Sequence, residues 1–133
     1  MNQIQKVADF LETAGTFSLA TVDGTLPKCR PISGLLLKDD VLYFCVGTFK
    51  EVYRQMQEKP YVEIFAYQGA AWLRYYGKAV FEQDDVIPNS MIETIGLGDI
   101  YNEETGHKLG AFHLEEATAE FREWMDTTEI ITF

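Results

Sequence analysis

Turn signals cut this chain at short intervals, and that restricts it to a small set of folds. The run FSLATV at 17–22 alternates in polarity, Asp23-Gly24 follows it, and a second run extends over 28–37. An Asp-Gly pair between two such runs is a strong hairpin signal. Asp39-Asp40 turns the chain again, and VLYFCV at 41–46 is so nearly all apolar that it predicts a central strand. Residues 61–67 and 72–82 predict two further strands around the turn QGAA at 68–71. Residues 109–115 and 118–125 read as a last hairpin, with a short extension at 130–133.

Between the strands lie a few helical segments. Ile4, Val7, Ala8 and Leu11 recur at the spacing of one apolar helix stripe, and Gly15 ends it. Residues 49–58 place Val52, Tyr53 and Met56 on one side, and Lys59-Pro60 stops that helix because proline pushes its predecessor out of the α region. Residues 84–95 predict a third helix with Pro88 in its first turn, and the polar stretch 96–108 predicts a loop. There is no repeat, low-complexity tract or linker, so residues 1–133 are expected to form one domain. Six or seven mostly hairpin-connected strands with helices at the ends predict a mainly β fold, an antiparallel barrel. Such a small barrel has little room inside, so a large ligand is expected outside it or between subunits.

Charge narrows the partners. Asp and Glu outnumber Lys and Arg by 21 to 11, a net charge of −10. A surface this acidic repels phosphate backbones, which argues against nucleic-acid and anionic-membrane partners. No apolar run approaches the roughly 18 residues of a membrane span. The N-terminal stretch lacks the apolar region of a signal peptide, so a cytoplasmic protein is expected. With two cysteines and two histidines, neither a structural metal site nor a disulfide framework is expected.

In so acidic a chain, a cluster of cations is informative. If Asp39-Asp40 closes a two-residue hairpin, Lys38 faces Val41, and the same register carried along the strand puts Arg30 opposite Phe49, beside Thr48 and Lys50. Thr48 is a candidate N-cap for the following helix, whose free N–H groups favour an anion. Arg grips a phosphate through paired hydrogen bonds while Lys acts as a point charge. The residues alone equally allow Arg30 and Lys50 to be ordinary solvated cations. The same register separates Cys29 from Cys45, which argues against a disulfide. In the strand at 72–82, Trp72, Arg74, Tyr76 and Lys78 share one face. That mixed face suits a dimer interface, a flat aromatic ligand, or solvent. His113, within a predicted strand, reads as a structural histidine rather than a catalyst, and no catalytic residue is assigned.

The runs FSLATVDGTLPKCRPI, DDVLYFCVGTFKEVYRQMQEKPYVEI and WLRYYGKAVFEQD resemble the pyridoxamine 5′-phosphate oxidase-like superfamily of flavin-binding split barrels, most closely its small nitroimidazole-reductase-type members. The likeness covers about residues 4–85 and, more loosely, the C-terminal third. It implies a six-stranded split barrel, a homodimer with flavin mononucleotide (FMN) in grooves between the subunits, and an oxidoreductase acting on a small molecule. A non-catalytic flavin-binding or sensing protein is the alternative. By the same resemblance Arg30 and Lys50 contact the flavin phosphate, and Pro31 and Ile32 run under the ring edge. Val46, Gly47 and Thr48 line the ribityl and phosphate, and Trp72 and Arg74 come from across the dimer. The chain ends in TEIITF, without the Arg- and Pro-containing C-terminal signature of true pyridoxamine phosphate oxidases.

Overall fold

The structure is a computed structural model that describes residues 2–133. Helix α1 (Gln3–Ala14) starts where the Asn2 side chain accepts a hydrogen bond from the Gln5 amide at 2.9 Å, and it buries Val7, Ala8 and Leu11. Strands β1 (Phe17–Asp23) and β2 (Leu26–Ile32) form the expected hairpin. Strands β3 (Leu35–Lys38) and β4 (Val41–Gly47) form the next, with Lys38 opposite Val41 as the two-residue turn predicts. Asp39 and Asp40 both adopt positive φ, as a primed turn requires. Then follow α2 (Glu51–Glu58), β5 (Tyr61–Gln68), β6 (Ala71–Phe81), α3 (Val86–Ile95), β7 (Leu109–Glu123) and β8 (Asp126–Thr132). Among the described residues no helix is long and apolar enough to cross a membrane.

The strands form one antiparallel sheet in the order β2-β1-β5-β6-β7-β4-β3, with β8 also paired to β7. Its two end strands, β2 and β3, are consecutive in the chain and separated only by Ser33-Gly34. A link that short forces the two ends of the sheet together, so the sheet must curl almost into a barrel, although no ladder joins β2 to β3. The mainly β split-barrel expectation holds, with eight strands among the described residues rather than six.

Two segments differ from the sequence reading. The predicted strand at 28–37 is two strands, broken where Gly34 takes φ +89° against Ile95. The positive φ favours glycine at this corner, and a Cβ there would also press on the end of the Ile95 side chain at 2.8 Å. The predicted hairpin at 109–125 is instead one long strand, β7. Its inner turn signal is a β-bulge: Glu116 has φ 51°, and the β6 register shifts between Tyr76 and Lys78. On its second edge β7 pairs with β4 over Leu109–Phe112 and with β8 over Thr118–Glu123. The last hairpin is thus β7–β8.

Two cores hold the fold. The larger fills the barrel with Phe17, Leu19, Phe44, Ile64, Leu73 and Phe112 and is closed by α1. The smaller packs α3, through Ile87 and Met91, on Tyr43, Cys45 and Ala111. β4 therefore buries alternate residues in different cores, which explains its unbroken apolar run.

Candidate functional site

The corner between β2 and β3 opens onto a groove of about 260 Å³. Arg30, Pro31 and Ile32 line it from β2, Val46 and Gly47 from the end of β4, and Lys50 from the start of α2. Six of the sequence-predicted binding residues thus meet in one place. The predicted contact did not bring them there: Arg30 pairs with Leu19, because β2 joins β1 while the register of the β3–β4 hairpin runs no further than Leu35. Cys29 likewise sits opposite Ala20. The curl of the sheet, not strand pairing, brings Arg30 and Lys50 to one groove.

Arg30 is held by three hydrogen bonds. Its Nη1 donates to the Leu19 carbonyl at 3.1 Å and to Thr21 Oγ1 at 2.7 Å, and its Nη2 donates to Gln55 Oε1 at 2.9 Å. A guanidinium has five N–H donors, so Nε–H and one Nη2–H keep no partner among the described residues. Partial burial lowers its pKa, but an arginine stays charged. The Lys50 side chain is exposed, and its Nζ lies 5.8 Å from the Phe49 ring centre.

Thr48 is a correction. It does not cap α2, whose N-cap is Lys50. Its amide and its hydroxyl both donate to the Lys108 carbonyl, at 2.9 and 3.2 Å, which ties it to the loop before β7. The chain forms a turn at 48–50 first, so the helix begins later than its apolar pattern suggests.

Trp72 and Arg74 do not reach the groove within one chain. They lie on the outer face of β6, in a shallow hollow with Phe65, Tyr67, Trp124 and Met125. As the alternation predicts, Leu73, Tyr75 and Ala79 are buried on the opposite face. Arg74 and Arg122 each sit 5.4 Å from the Trp72 ring centre. Glu120 pairs with Arg122 at 2.6 Å and accepts from the Tyr76 hydroxyl at 2.7 Å, which lowers its pKa. Trp124 is 76% and Met125 92% exposed, an unusual cost for an isolated chain.

The sequence reading missed the groove's opposite wall, which consists of Leu97, Ile100 and Tyr101 from the stretch read as loop, with Cys45 and Leu109. The apolar spacing Leu97, Ile100, Tyr101 inside a polar stretch was the available signal. Tyr101 lies close over Gly47: a Cβ there would fall 2.9 Å from its hydroxyl and 2.7 Å from the Phe49 ring. Phe49 in turn stacks on His107 at 3.8 Å. Burial raises the Cys45 thiol to about 11, so it is neutral near pH 7. His113 lies apart from the groove, its Nε2 2.8 Å from Glu115.

No curated protein sequence matches the chain. Its fold is similar to that of a NimC/NimA family protein from Clostridium acetobutylicum, with TM-score 0.87 and 21% identity over 100% of this chain and 95% of that one. It is also similar to a pyridoxamine 5′-phosphate oxidase-related, FMN binding protein from Nostoc punctiforme (TM-score 0.63, 18% identity, 90% of this chain and 83% of that one). A heme binding protein from Mycobacterium smegmatis shares the fold as well (TM-score 0.69, 13% identity, 100% of this chain and 58% of that one). The sequence family described as pyridoxamine 5′-phosphate oxidase matches residues 4–123, and the chain belongs to that family.

Proposed function

We propose that the groove at Arg30 and Lys50 binds FMN by its phosphate, and that the protein is a cytoplasmic, homodimeric flavin-dependent oxidoreductase with a small-molecule substrate. The observation that carries this reading is the anchored Arg30, which lines a groove with Lys50 and keeps two N–H donors without a partner among the described residues. Paired donors suit a phosphate, and a nearby ammonium adds charge without demanding geometry. Family membership and the FMN-binding relative from Nostoc support the choice of ligand.

In this reading Pro31 and Ile32 border the flavin ring, and the Val46-Gly47 backbone lies along the ribityl chain. The place where a Gly47 Cβ would stand is taken by the Phe49 ring and the Tyr101 hydroxyl, so glycine there allows those groups to close over the strand end. Thr48 borders the groove without a free donor for the phosphate, since its amide and its hydroxyl are both engaged by the Lys108 carbonyl. Bound flavin supplies hydride chemistry, while the protein supplies position and electrostatics. The groove, at about 260 Å³, is below the ~300–1,000 Å³ usual for small-molecule pockets. A second subunit offering Trp72 and Arg74 completes it and covers the exposed aromatic hollow.

The alternative, a non-catalytic flavin-binding protein, draws support from the groove lining, which contains no carboxylate or histidine. Turnover with a nicotinamide donor and a nitroaromatic or quinone panel separates the two. The flavin itself is tested by the visible spectrum of the purified protein and by titration. FMN is expected to bind more tightly than riboflavin, and equal affinities would overturn the phosphate site.

A further inference from the structure

Two buried polar side chains stand where the pattern calls for apolar ones. Thr21 takes an inward position of β1 after Phe17 and Leu19, and is 2% exposed. Gln55 lies on the buried stripe of α2 with Val52 and Met56, and is 3% exposed. Burying a hydroxyl and an amide is unfavourable unless they are bonded, and apolar residues would fill the same space without that penalty.

Their bonds form a ring. The Thr21 hydroxyl donates to Gln55 Oε1 at 2.6 Å. Thr21 Oγ1 accepts from Arg30 Nη1 at 2.7 Å, and Gln55 Oε1 accepts from Nη2 at 2.9 Å. The hydroxyl's single hydrogen is committed to Gln55, so its lone pairs can only accept from Arg30, which fixes every direction in the ring. All three partners of Arg30, counting the Leu19 carbonyl, are uncharged. The ring therefore immobilises the guanidinium without cancelling its charge. In a protein with 21 acidic residues, that also keeps Arg30 from pairing with a carboxylate.

We infer that Thr21 and Gln55 are positioning residues that hold Arg30 by one edge, so that the Nε–H and the second Nη2–H stay free for a phosphate. The inference rests on the phosphate reading of the groove. It explains selectivity for a phosphorylated flavin through residues that need not touch the ligand. A free arginine would lose side-chain entropy on gripping phosphate, and here that loss is taken in folding.

The test titrates FMN, riboflavin and inorganic phosphate into the full-length protein and its Thr21→Val, Thr21→Ser and Gln55→Glu variants. The Arg30 Nε–H resonance is followed by NMR. Thr21→Val is expected to weaken FMN about tenfold, the effect of one charge-assisted hydrogen bond, and to leave riboflavin unchanged. Thr21→Ser restores the wild-type value. Gln55→Glu keeps the acceptor but neutralises Arg30, so it should weaken FMN more than Thr21→Val does; a merely structural role predicts tolerance there. If Thr21→Val does not fold, Gln55→Glu decides alone. Wild-type FMN affinity in Thr21→Val and Gln55→Glu, or equal losses for FMN and riboflavin, overturns the inference. If wild type itself fails to prefer FMN, the flavin reading fails, and the resonance judges the ring separately. A shift on adding inorganic phosphate to wild type, absent in Gln55→Glu, upholds positioning, and no shift in wild type overturns it.

Discussion

Arg30 and Lys50 carry the same charge and line the same groove, yet they differ in what holds them. Arg30 is tied into the fold by three hydrogen bonds, while the Lys50 side chain is exposed, with its Nζ 5.8 Å from the Phe49 ring centre. Replacing either by Ala is expected to weaken FMN by about 1.5–3 kcal/mol, with riboflavin nearly indifferent. Their effects on the flavin-free protein should diverge. Arg30→Ala strips donors from Thr21 and Gln55, and urea denaturation should show a loss of about 1–3 kcal/mol. Lys50→Ala should stay within about 0.5 kcal/mol. The cysteines differ in the same way: Cys29 is exposed, whereas Cys45 is buried with its thiol pushed up to about 11. A thiol reagent at pH 8 is expected to label Cys29 rapidly and Cys45 only after unfolding. Rapid labelling of both would show that the smaller core opens readily.

Among the elements, β6 and β7 take the most from their packing. Gly77 of β6 faces the bulge in β7, where a Cβ would lie 2.7 Å from the Glu115 carbonyl and 2.9 Å from the Ala117 Cα. Both are backbone atoms and cannot swing aside. Gly77→Ala should therefore cost about 1–3 kcal/mol, as overpacking does, measured by thermal or urea unfolding against wild type. Farther along the same strands, Tyr76 and Arg122 lower the Glu120 pKa, with a smaller opposing effect from burial. A carboxylate whose pKa is depressed by folding contributes stability above its unfolded value, about 4.3 for Glu. That contribution is lost as pH falls from there through the folded value. Glu120→Gln should be less stable than wild type near neutrality, and the gap should start to narrow as pH falls past the unfolded value of about 4.3 and close once Glu120 is protonated in the folded protein. A gap that persists unchanged into acid would assign Glu120's contribution to packing instead of charge.

At the scale of the whole molecule, the six groove residues and the Trp72–Arg74 hollow are separate surfaces of one chain. A homodimer with the flavin between subunits would bring them together. Binding then stabilises the dimer by mass action, so added FMN should raise the melting temperature and slow dissociation on dilution. Mixed chains give the sharper test. Arg30→Ala and Arg74→Ala homodimers each lack an intact groove, whereas their heterodimer has one groove carrying both defects and one carrying none. Tight FMN binding should return to at most one site per heterodimer. Its failure to return, with heterodimers present, would overturn the shared site.

How much of this was written in the sequence depends on the range of the physics. The first hairpins, the three helices and the inward–outward alternation of β6 follow from neighbours a few residues apart, and the chain alone determines them. Even the Lys38–Val41 register is local, set by a two-residue turn. The cations of the groove were legible as residue types, helped by the family pattern. Their meeting was not, since Arg30 pairs with Leu19 and reaches Lys50 only because the sheet curls at Gly34. The bulge at Glu116 imitates a turn locally; only the unbroken pairing with β6 on both sides makes it one strand. The Leu97–Tyr101 wall and the ring of Thr21, Gln55 and Arg30 join segments far apart in sequence. No local preference encodes such contacts. They exist because burial left each polar group only the others to bond, and tertiary structure alone chose which.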